Sequence, residues 1–194
     1  MMRIPRLKGW IYSAVATFLV VPSVATVYAR DVSGISLPEA VSVNGRELSL
    51  NGTGIGKKLL LEVYVIGLYL ETRTSNAAAA IKADEGKRIV LTMLRDVSRK
   101  KFVQAVENRM VRNSAPIMPT LRSQLDALEE ALPALKKGEV VDFTYLPGSG
   151  TTMRGQGQEM AIPGKDFADA LFSAWLGPEP DSQALQHSLL TGGD

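Results

Sequence analysis

The chain has no cysteine among its 194 residues and a single histidine, His187. The lack of cysteine excludes disulfides, thiol catalysis, zinc–thiolate sites and iron–sulfur clusters. One histidine with no carboxylate cluster near it in the sequence makes neither a metal site nor a catalytic triad. We therefore expect His187 to be solvated, and we predict a protein without metal or cofactor that is held together by packing alone.

A surplus of charge of one sign is also missing. The chain has 22 basic and 20 acidic residues, but three of the basic ones, Arg3, Arg6 and Lys8, fall within residues 1–29, which contain no acidic residue. The remaining chain therefore carries 19 basic against 20 acidic residues, a net charge of −1. Without a basic stripe to neutralise phosphates, nucleic acid is not expected as a partner.

Residues 1–29 have the order of a secretory signal peptide. The basic residues precede an apolar run from Trp10 to Val21, and Val27-Tyr28-Ala29 resembles a small-residue cleavage site. The run is about a dozen residues long, below the roughly 20 needed to span a bilayer. We expect cleavage after Ala29 and export to the periplasm or the medium, with an uncleaved anchor as the alternative. Residues 30–194 are then a single soluble domain without a membrane span, with its core at about 41–178.

Strand signals dominate the first half of that domain. Val41–Leu50 alternates apolar and polar residues around Asn44-Gly45, which predicts a hairpin with a two-residue type I′ turn. Leu59–Glu71 is predicted as one long strand, and because both of its faces are apolar, both should be covered. Gly67 within it suggests a bulge or a close backbone approach.

Helices and further strands follow without strict alternation, which favours an antiparallel α+β domain. Further strands are expected at 87–94, 139–146, 151–154 and 158–162. Helices are expected at 75–84 with Ser75 as N-cap, at 99–112 with Ser98 as N-cap, at 119–131, at 166–176, and weakly in the tail.

Three alternating glycines precede the long strand, in Asn51-Gly-Thr-Gly-Ile-Gly56. We interpret this segment as a turn that can bring bare backbone close to a ligand. A phosphate cradle is disfavoured, because its glycines would follow a strand and open a helix. Tyr64, in the strand itself, should bury its ring and find a partner for its hydroxyl, either in the core or on a ligand's polar head.

The predicted helix 166–176 carries polar and aromatic residues that allow two interpretations. Asp166 and Asp169 lie in its first turn, where they suit the helix dipole, and a carboxylate pair for acid–base chemistry is the weaker alternative. Phe167 and Trp175 are expected in the core, with cavity lining as the alternative.

The Asn51-Gly-Thr-Gly segment and the strand ending in Gly-Leu-Tyr-Leu-Glu71 resemble the chalcone isomerase family. That family's signature is a Gly-x-Gly-x-Arg turn followed by a strand ending in Gly-Val/Leu-Tyr-Leu-Glu. Glu107-Asn108 and the helix from Phe167 to Gly177 extend the resemblance, the latter toward the exported bacterial branch of the family. It implies an α+β, chalcone isomerase-like fold, an antiparallel β-sheet layered with helices as an open-faced sandwich. An apolar cleft is then expected between the long strand and the helices at 99–112 and 166–176.

The same resemblance argues against chalcone cyclisation. The plant enzymes' substrate-binding arginine falls on Gly56, their strand threonine on Tyr64, their helix tyrosine on Lys101 and their late threonine near Ala174. Only their asparagine is retained, as Asn108. The cation and hydroxyls that would stabilise a developing oxyanion are therefore not matched.

A tyrosine in place of the strand threonine is similar to the family's fatty-acid-binding members, in which an arginine and a tyrosine share a carboxylate. Lys57 or Lys58 could supply the charge here, although strand alternation should send only one of them inward. The resemblance therefore implies non-catalytic binding of an apolar or amphipathic small molecule, such as a fatty acid, by Tyr64, Asn108, Lys57, Lys58 and Lys101. The alternatives are an isomerase (intramolecular lyase) and a ligand-free structural partner of an envelope complex.

Overall fold

The computed structural model describes residues 28–192, so residues 1–27 of the predicted signal peptide lie outside the described residues. A small hairpin of β1 (Ala29–Val32) and β2 (Ile35–Pro38) begins the described part. Seven strands then form one antiparallel sheet in which every strand pairs with its neighbours along the chain. They are β3 (Ala40–Val43), β4 (Arg46–Lys58), β5 (Leu61–Leu70), β6 (Lys87–Met93), β7 (Val140–Leu146), β8 (Gly150–Gly155) and β9 (Gln158–Ile162).

The helices cover one face of this sheet, which confirms the antiparallel α+β prediction. They are α1 (Ala77–Lys82), α2 (Arg99–Ser114), a 3₁₀ helix (Ala115–Leu121), α3 (Arg122–Ala131), α4 (Lys165–Leu176) and α5 (Gln183–Thr191). Within residues 28–192, no helix is both long enough and apolar enough to span a membrane.

Strand β5 is covered on both faces, as its two apolar faces predict. Ile66 and Leu68 point into the helix-covered core, which includes Phe167 of α4. Val65 and Tyr69 point to the opposite face, where Leu37 of the small hairpin packs. A Cβ at Gly67 would lie 3.2 Å from Leu37 Cδ1, so this glycine marks the expected close approach.

The predicted glycine turn at residues 51–56 is wrong. These residues belong to β4 and pair with β5, and the chain reverses instead at Leu59-Leu60. Glycine is needed because other groups pack directly on the strand. A Cβ at Gly52 would lie 2.6 Å from the carbonyl carbon of Leu189 in α5, whereas one at Gly56 would overlap the ring of Tyr64.

Several element boundaries also differ from the prediction. Asn76 rather than Ser75 caps α1, since its side chain accepts a hydrogen bond from the Ala79 N–H. The helix expected at 119–131 is divided into the 3₁₀ helix and α3, with Pro119 in the former. Buried side chains extend beyond residues 41–178, because Leu37 and Leu189 are both in the core.

Candidate functional site

A cleft of about 740 Å³ opens where the β4–β5 hairpin faces the start of α2. Its volume lies within the range typical of small-molecule sites. The β4–β5 turn, the β6–α2 loop and one side of α2 form its walls, and its apolar lining is Leu59, Leu61, Val63, Val97, Phe102 and Ala105. The cleft can therefore take an apolar chain.

The position of α4 differs from the expectation. This helix was predicted to form one wall of the cleft, but its Phe167 and Trp175 are buried in the core and do not line it. The β6–α2 loop forms that wall instead. Trp175 and Ala174 line a small cavity next to the cleft, together with Gly56, Tyr64 and Arg109. Tyr64 and Arg109, like Lys57 and Asp181, line both spaces.

Tyr64 is buried, with 5% of its surface exposed, and its hydroxyl accepts a hydrogen bond from Trp175 Nε1 at 3.0 Å. An indole N–H is a donor only, so the hydroxyl's own proton still needs an acceptor. Between residues 28 and 192 no acceptor for this proton lies within hydrogen-bonding distance. Gly56 pairs directly with Tyr64 across the two strands and leaves room for its ring.

Arg109 is one of the charged cleft residues that the sequence analysis missed, with Arg95, Asp96 and Asp181. Its side chain is 14% exposed, and its Nε donates to the carboxylate of Asp181, which Arg112 also binds. Burial would raise the pKa of Asp181, but the two arginines outweigh it and hold that pKa below its usual value. Lys101, Ala105 and Arg109 recur every four residues along α2 and all line the cleft, a spacing visible in the sequence.

Lys57, Lys58 and Lys101 line the cleft, whereas Asn108 does not. Both Lys57 and Lys58 line the cleft although they are consecutive residues of β4, at the end of the strand next to the turn. The expectation that only one of them turns inward is therefore wrong.

Asn108 is exposed on α2, and its assignment as a cleft residue is corrected. The buried face of the helix carries Phe102, Val106 and Met110. Asn108 comes two residues after Val106, which places it about 200° around the helix axis, on the opposite side.

Positive charge exceeds negative charge in the cleft. Five cationic residues line it, against the two carboxylates of Asp96 and Asp181. Asp96 accepts hydrogen bonds from the Lys136 side chain at 2.9 Å and the Lys137 N–H, and Lys57 pairs with Glu62 at 3.4 Å. The remaining cations have no ion-pair partner within the described part of the chain; they are Lys58, Arg95 and Lys101. A cleft with apolar walls and surplus cations suits an amphipathic anion.

A second polar cluster lies apart from the cleft, between α1 and α4. Asp169, expected to act on the helix dipole, is buried and binds Lys82 at 3.0 Å and Lys165 at 2.7 Å. The buried ammonium of Lys87 lies 3.6 Å from Asp169 and donates to the carbonyl oxygen of Ala83 at 3.2 Å, at the end of α1. Burial lowers the pKa of Lys87 to about 8, although the charge of Asp169 opposes this. Asp169 therefore joins α1, β6 and α4.

The lowered pKa of Lys87 makes stability rise with pH in the alkaline range. The pKa of Lys87 is about 8 in the folded protein, against an ordinary value of 10.5. At pH values between these two, the unfolded chain keeps a proton on Lys87 that the folded protein has released. The free energy of unfolding should therefore rise by about 1–2 kcal/mol from pH 7.5 to pH 9.5. Tyr69 and Tyr145, whose pKa values burial raises to about 12, reverse the trend only above about pH 10.

Urea denaturation at the two pH values measures this rise, and Lys87→Met is the control that should lack it. An unchanged or falling stability in the parent protein would contradict the prediction.

No group of three or more His, Asp or Glu side chains in the described residues could hold a metal ion. His187 is exposed on α5 and pairs with no carboxylate in this part of the chain. Its backbone carbonyl oxygen accepts a hydrogen bond from the Thr191 hydroxyl at 2.9 Å.

The architecture and the cleft define a small α+β protein of the chalcone isomerase type. Residues 29–191 match the family model described as chalcone isomerase-like, and the chain belongs to this family. A similar solved structure is that of an Arabidopsis thaliana fatty-acid binding protein, with 17% sequence identity and a TM-score of 0.67. The alignment covers 84% of this chain and 96% of that one. At this identity the likeness shows the fold. No curated protein matches the sequence.

Proposed function

We propose that the protein binds an anionic amphiphile, such as a fatty acid, in the cleft and does not transform it. One observation carries the proposal: Tyr64, with its hydroxyl, and Arg109, with its guanidinium, both line a cleft with apolar walls. The hydroxyl has a proton to donate, and among residues 28–192 the one hydrogen bond of the guanidinium runs from its Nε to Asp181. An arginine has five N–H donors, so its terminal nitrogens remain for a carboxylate. The fatty-acid binding protein from Arabidopsis thaliana, which has the same fold, supports the choice of ligand.

Two positions in the small cavity next to the cleft favour non-catalytic binding over an isomerase. Gly56 and Ala174 line the small cavity next to Tyr64, and neither can donate a hydrogen bond through its side chain. Trp175 already directs its only donor to Tyr64. The plant enzymes' arginine and late threonine correspond to Gly56 and Ala174, so the donors that an intramolecular lyase of this family aims at a developing oxyanion are not reproduced at those two positions.

Arg109→Gln is expected to weaken the binding of dodecanoate by about 10- to 150-fold. The variant removes hydrogen bonds to a charged group, each worth about 1.5–3 kcal/mol, and every 1.4 kcal/mol is about tenfold in affinity. Isothermal titration calorimetry with dodecanoate measures the loss. Dodecanol, which has the same chain without the charge, should bind parent and variant alike.

Arg112→Gln is the matched control, because Arg112 binds the same carboxylate of Asp181 but does not line the cleft. It should leave the affinity for dodecanoate within about twofold. Tyr64→Phe should also lower the preference for the acid over the alcohol, and its melting temperature should fall because the Trp175 N–H loses its acceptor. Equal effects of the two arginine variants, or an Arg109→Gln variant that binds dodecanoate normally, would place the ligand elsewhere. No binding by the parent protein would favour the ligand-free structural role.

A further inference from the structure

The turn between β4 and β5 presents three consecutive leucines to solvent. Leu59 and Leu60 are 91% and 95% exposed, and Leu61 is 53% exposed. We call residues 59–61 the leucine tip. Single exposed apolar side chains are ordinary on protein surfaces, but a contiguous group of large ones marks an interaction site.

The backbone of the leucine tip is also unfavourable for leucine. Leu59 has a φ of +56°, a region that glycine, asparagine and aspartate adopt more readily. The turn at the other end of β4 has Asn44-Gly45, the usual pair for a two-residue hairpin turn, with φ values of +49° and +78°. The chain thus has the favourable turn residues at one end of β4 and two exposed leucines at the other. Folding alone does not explain Leu59-Leu60.

Basic side chains surround the leucine tip. Lys58, Arg95 and Lys101 lie on the α2 side and have no ion-pair partner in residues 28–192. On the other side of the tip, Arg95 and Lys137 line a second space of about 460 Å³, together with Leu60 and Leu61. Two carboxylates in the same two spaces, Glu62 and Asp96, are paired with Lys57 and Lys136. An apolar tip flanked by cations that are unpaired in the described residues is complementary to a bilayer surface that carries anionic headgroups.

We propose that the leucine tip inserts into the surface of an anionic lipid bilayer while the surrounding cations bind its headgroups. Leu59 and Leu61 also line the cleft, so insertion would hold the cleft mouth against the bilayer. An amphiphile could then pass between bilayer and cleft without crossing water. The proposal rests on the exposed leucines and the cations near them, so it does not require the cleft to hold a ligand.

Replacing both turn leucines, as Leu59→Gly with Leu60→Asn, should separate lipid binding from folding. Of the two turn residues only Leu59 has a positive φ, and a hairpin turn of that kind favours glycine at its first position, so the melting temperature should stay the same or rise. Binding to vesicles of phosphatidylglycerol and phosphatidylcholine should weaken at least about tenfold, or about 1.4 kcal/mol. Co-sedimentation measures it, with parent and variant expressed as the full chain and compared in the same processed form. Any contribution of residues 1–27 is then common to both.

The charge requirement has a matched pair of variants at the two ends of β4. Lys58→Gln should weaken binding to the anionic vesicles, whereas Arg46→Gln, which removes the same charge at the far end, should not. Added salt and vesicles of pure phosphatidylcholine should both weaken binding by the parent protein. If both variants lose the same vesicle affinity, binding depends on net charge alone and the proposal is overturned.

A fluorescent label on an introduced cysteine can report insertion of the leucine tip into the bilayer, because the chain has no other cysteine to react. A nitrobenzoxadiazole label on Leu60→Cys should shift to the blue and gain intensity with anionic vesicles. The same label on Ser42→Cys, an exposed position near the opposite end of the sheet, should not change. A tip label that stays solvated, or a tip-dependent self-association without lipid, would assign the leucines to a second copy or another partner and overturn the proposal.

Discussion

Asp169→Ala is expected to lower the free energy of unfolding by about 3–5 kcal/mol. The carboxylate lies buried between three lysines, and Lys87, 1% exposed, cannot reach water when its partner is removed. The loss comes from leaving a buried ammonium without its counter-charge rather than from the attraction alone. Denaturation by urea at neutral pH, followed by circular dichroism, measures it.

The same helix provides the control. Asp166 lies in the first turn of α4 and is exposed, so Asp166→Ala should cost only about 0.3–1 kcal/mol, the usual size of a helix-dipole effect. The double variant Asp169→Leu with Lys87→Met, which removes both charges, should recover much of the stability. A loss from Asp169→Ala no larger than that from Asp166→Ala would mean that the cluster contributes little.

Gly56→Ala is expected to cost about 2–3 kcal/mol of stability and to displace Tyr64 in the lining of the cleft. A Cβ at this position would overlap the Tyr64 ring and lie 2.7 Å from its hydroxyl oxygen. The ring is rigid and packed in the core, so it must move and break its hydrogen bond to Trp175. Without the overlap, alanine would be the better strand residue, because glycine weakens a strand interior.

Gly54→Ala is the matched control on the same face of β4. Its Cβ would overlap only Leu185 Cδ1, the end of a flexible side chain that can rotate away. A double-mutant cycle with Tyr64→Ala isolates the ring, since Gly56→Ala should cost little once the ring is gone. If the cost is the same in both backgrounds, the ring is not the cause. Urea denaturation and calorimetric titration with dodecanoate give the two readouts.

Turns, helix caps and covered strand faces were predicted correctly where they depend on residues close together in the sequence. Asn44-Gly45 gives the hairpin because both residues tolerate positive φ, and the Ser98 side chain accepts from the Lys101 N–H at the start of α2 as expected. The two apolar faces of β5 required two covering layers, and the structure has both. These inferences needed only chain geometry and the requirement to bury apolar surface.

The misplaced glycine turn had a different cause. Glycine permits a turn, but it also permits close packing on a strand, and the sequence around Gly52, Gly54 and Gly56 does not distinguish the two. Only the docking of α5 and the ring of Tyr64 on β4 decides between them. Asn108 was predicted as a site residue from the family resemblance, but the face of α2 that lines the cleft carries Arg109 instead.

By itself, the sequence determined the family, through the resemblance of its motifs, and also the antiparallel α+β class, the order of the elements and the burial of Tyr64. The last three follow from patterns within a strand, a turn or a helix. The tertiary structure decided which residues share the cleft with Tyr64, because Arg95, Arg109 and Asp181 come from segments far apart in the chain. It also decided that Leu59 and Leu60 are exposed at a turn rather than buried in a strand. Neither result can be derived from spacing, since both depend on how separate elements pack against each other.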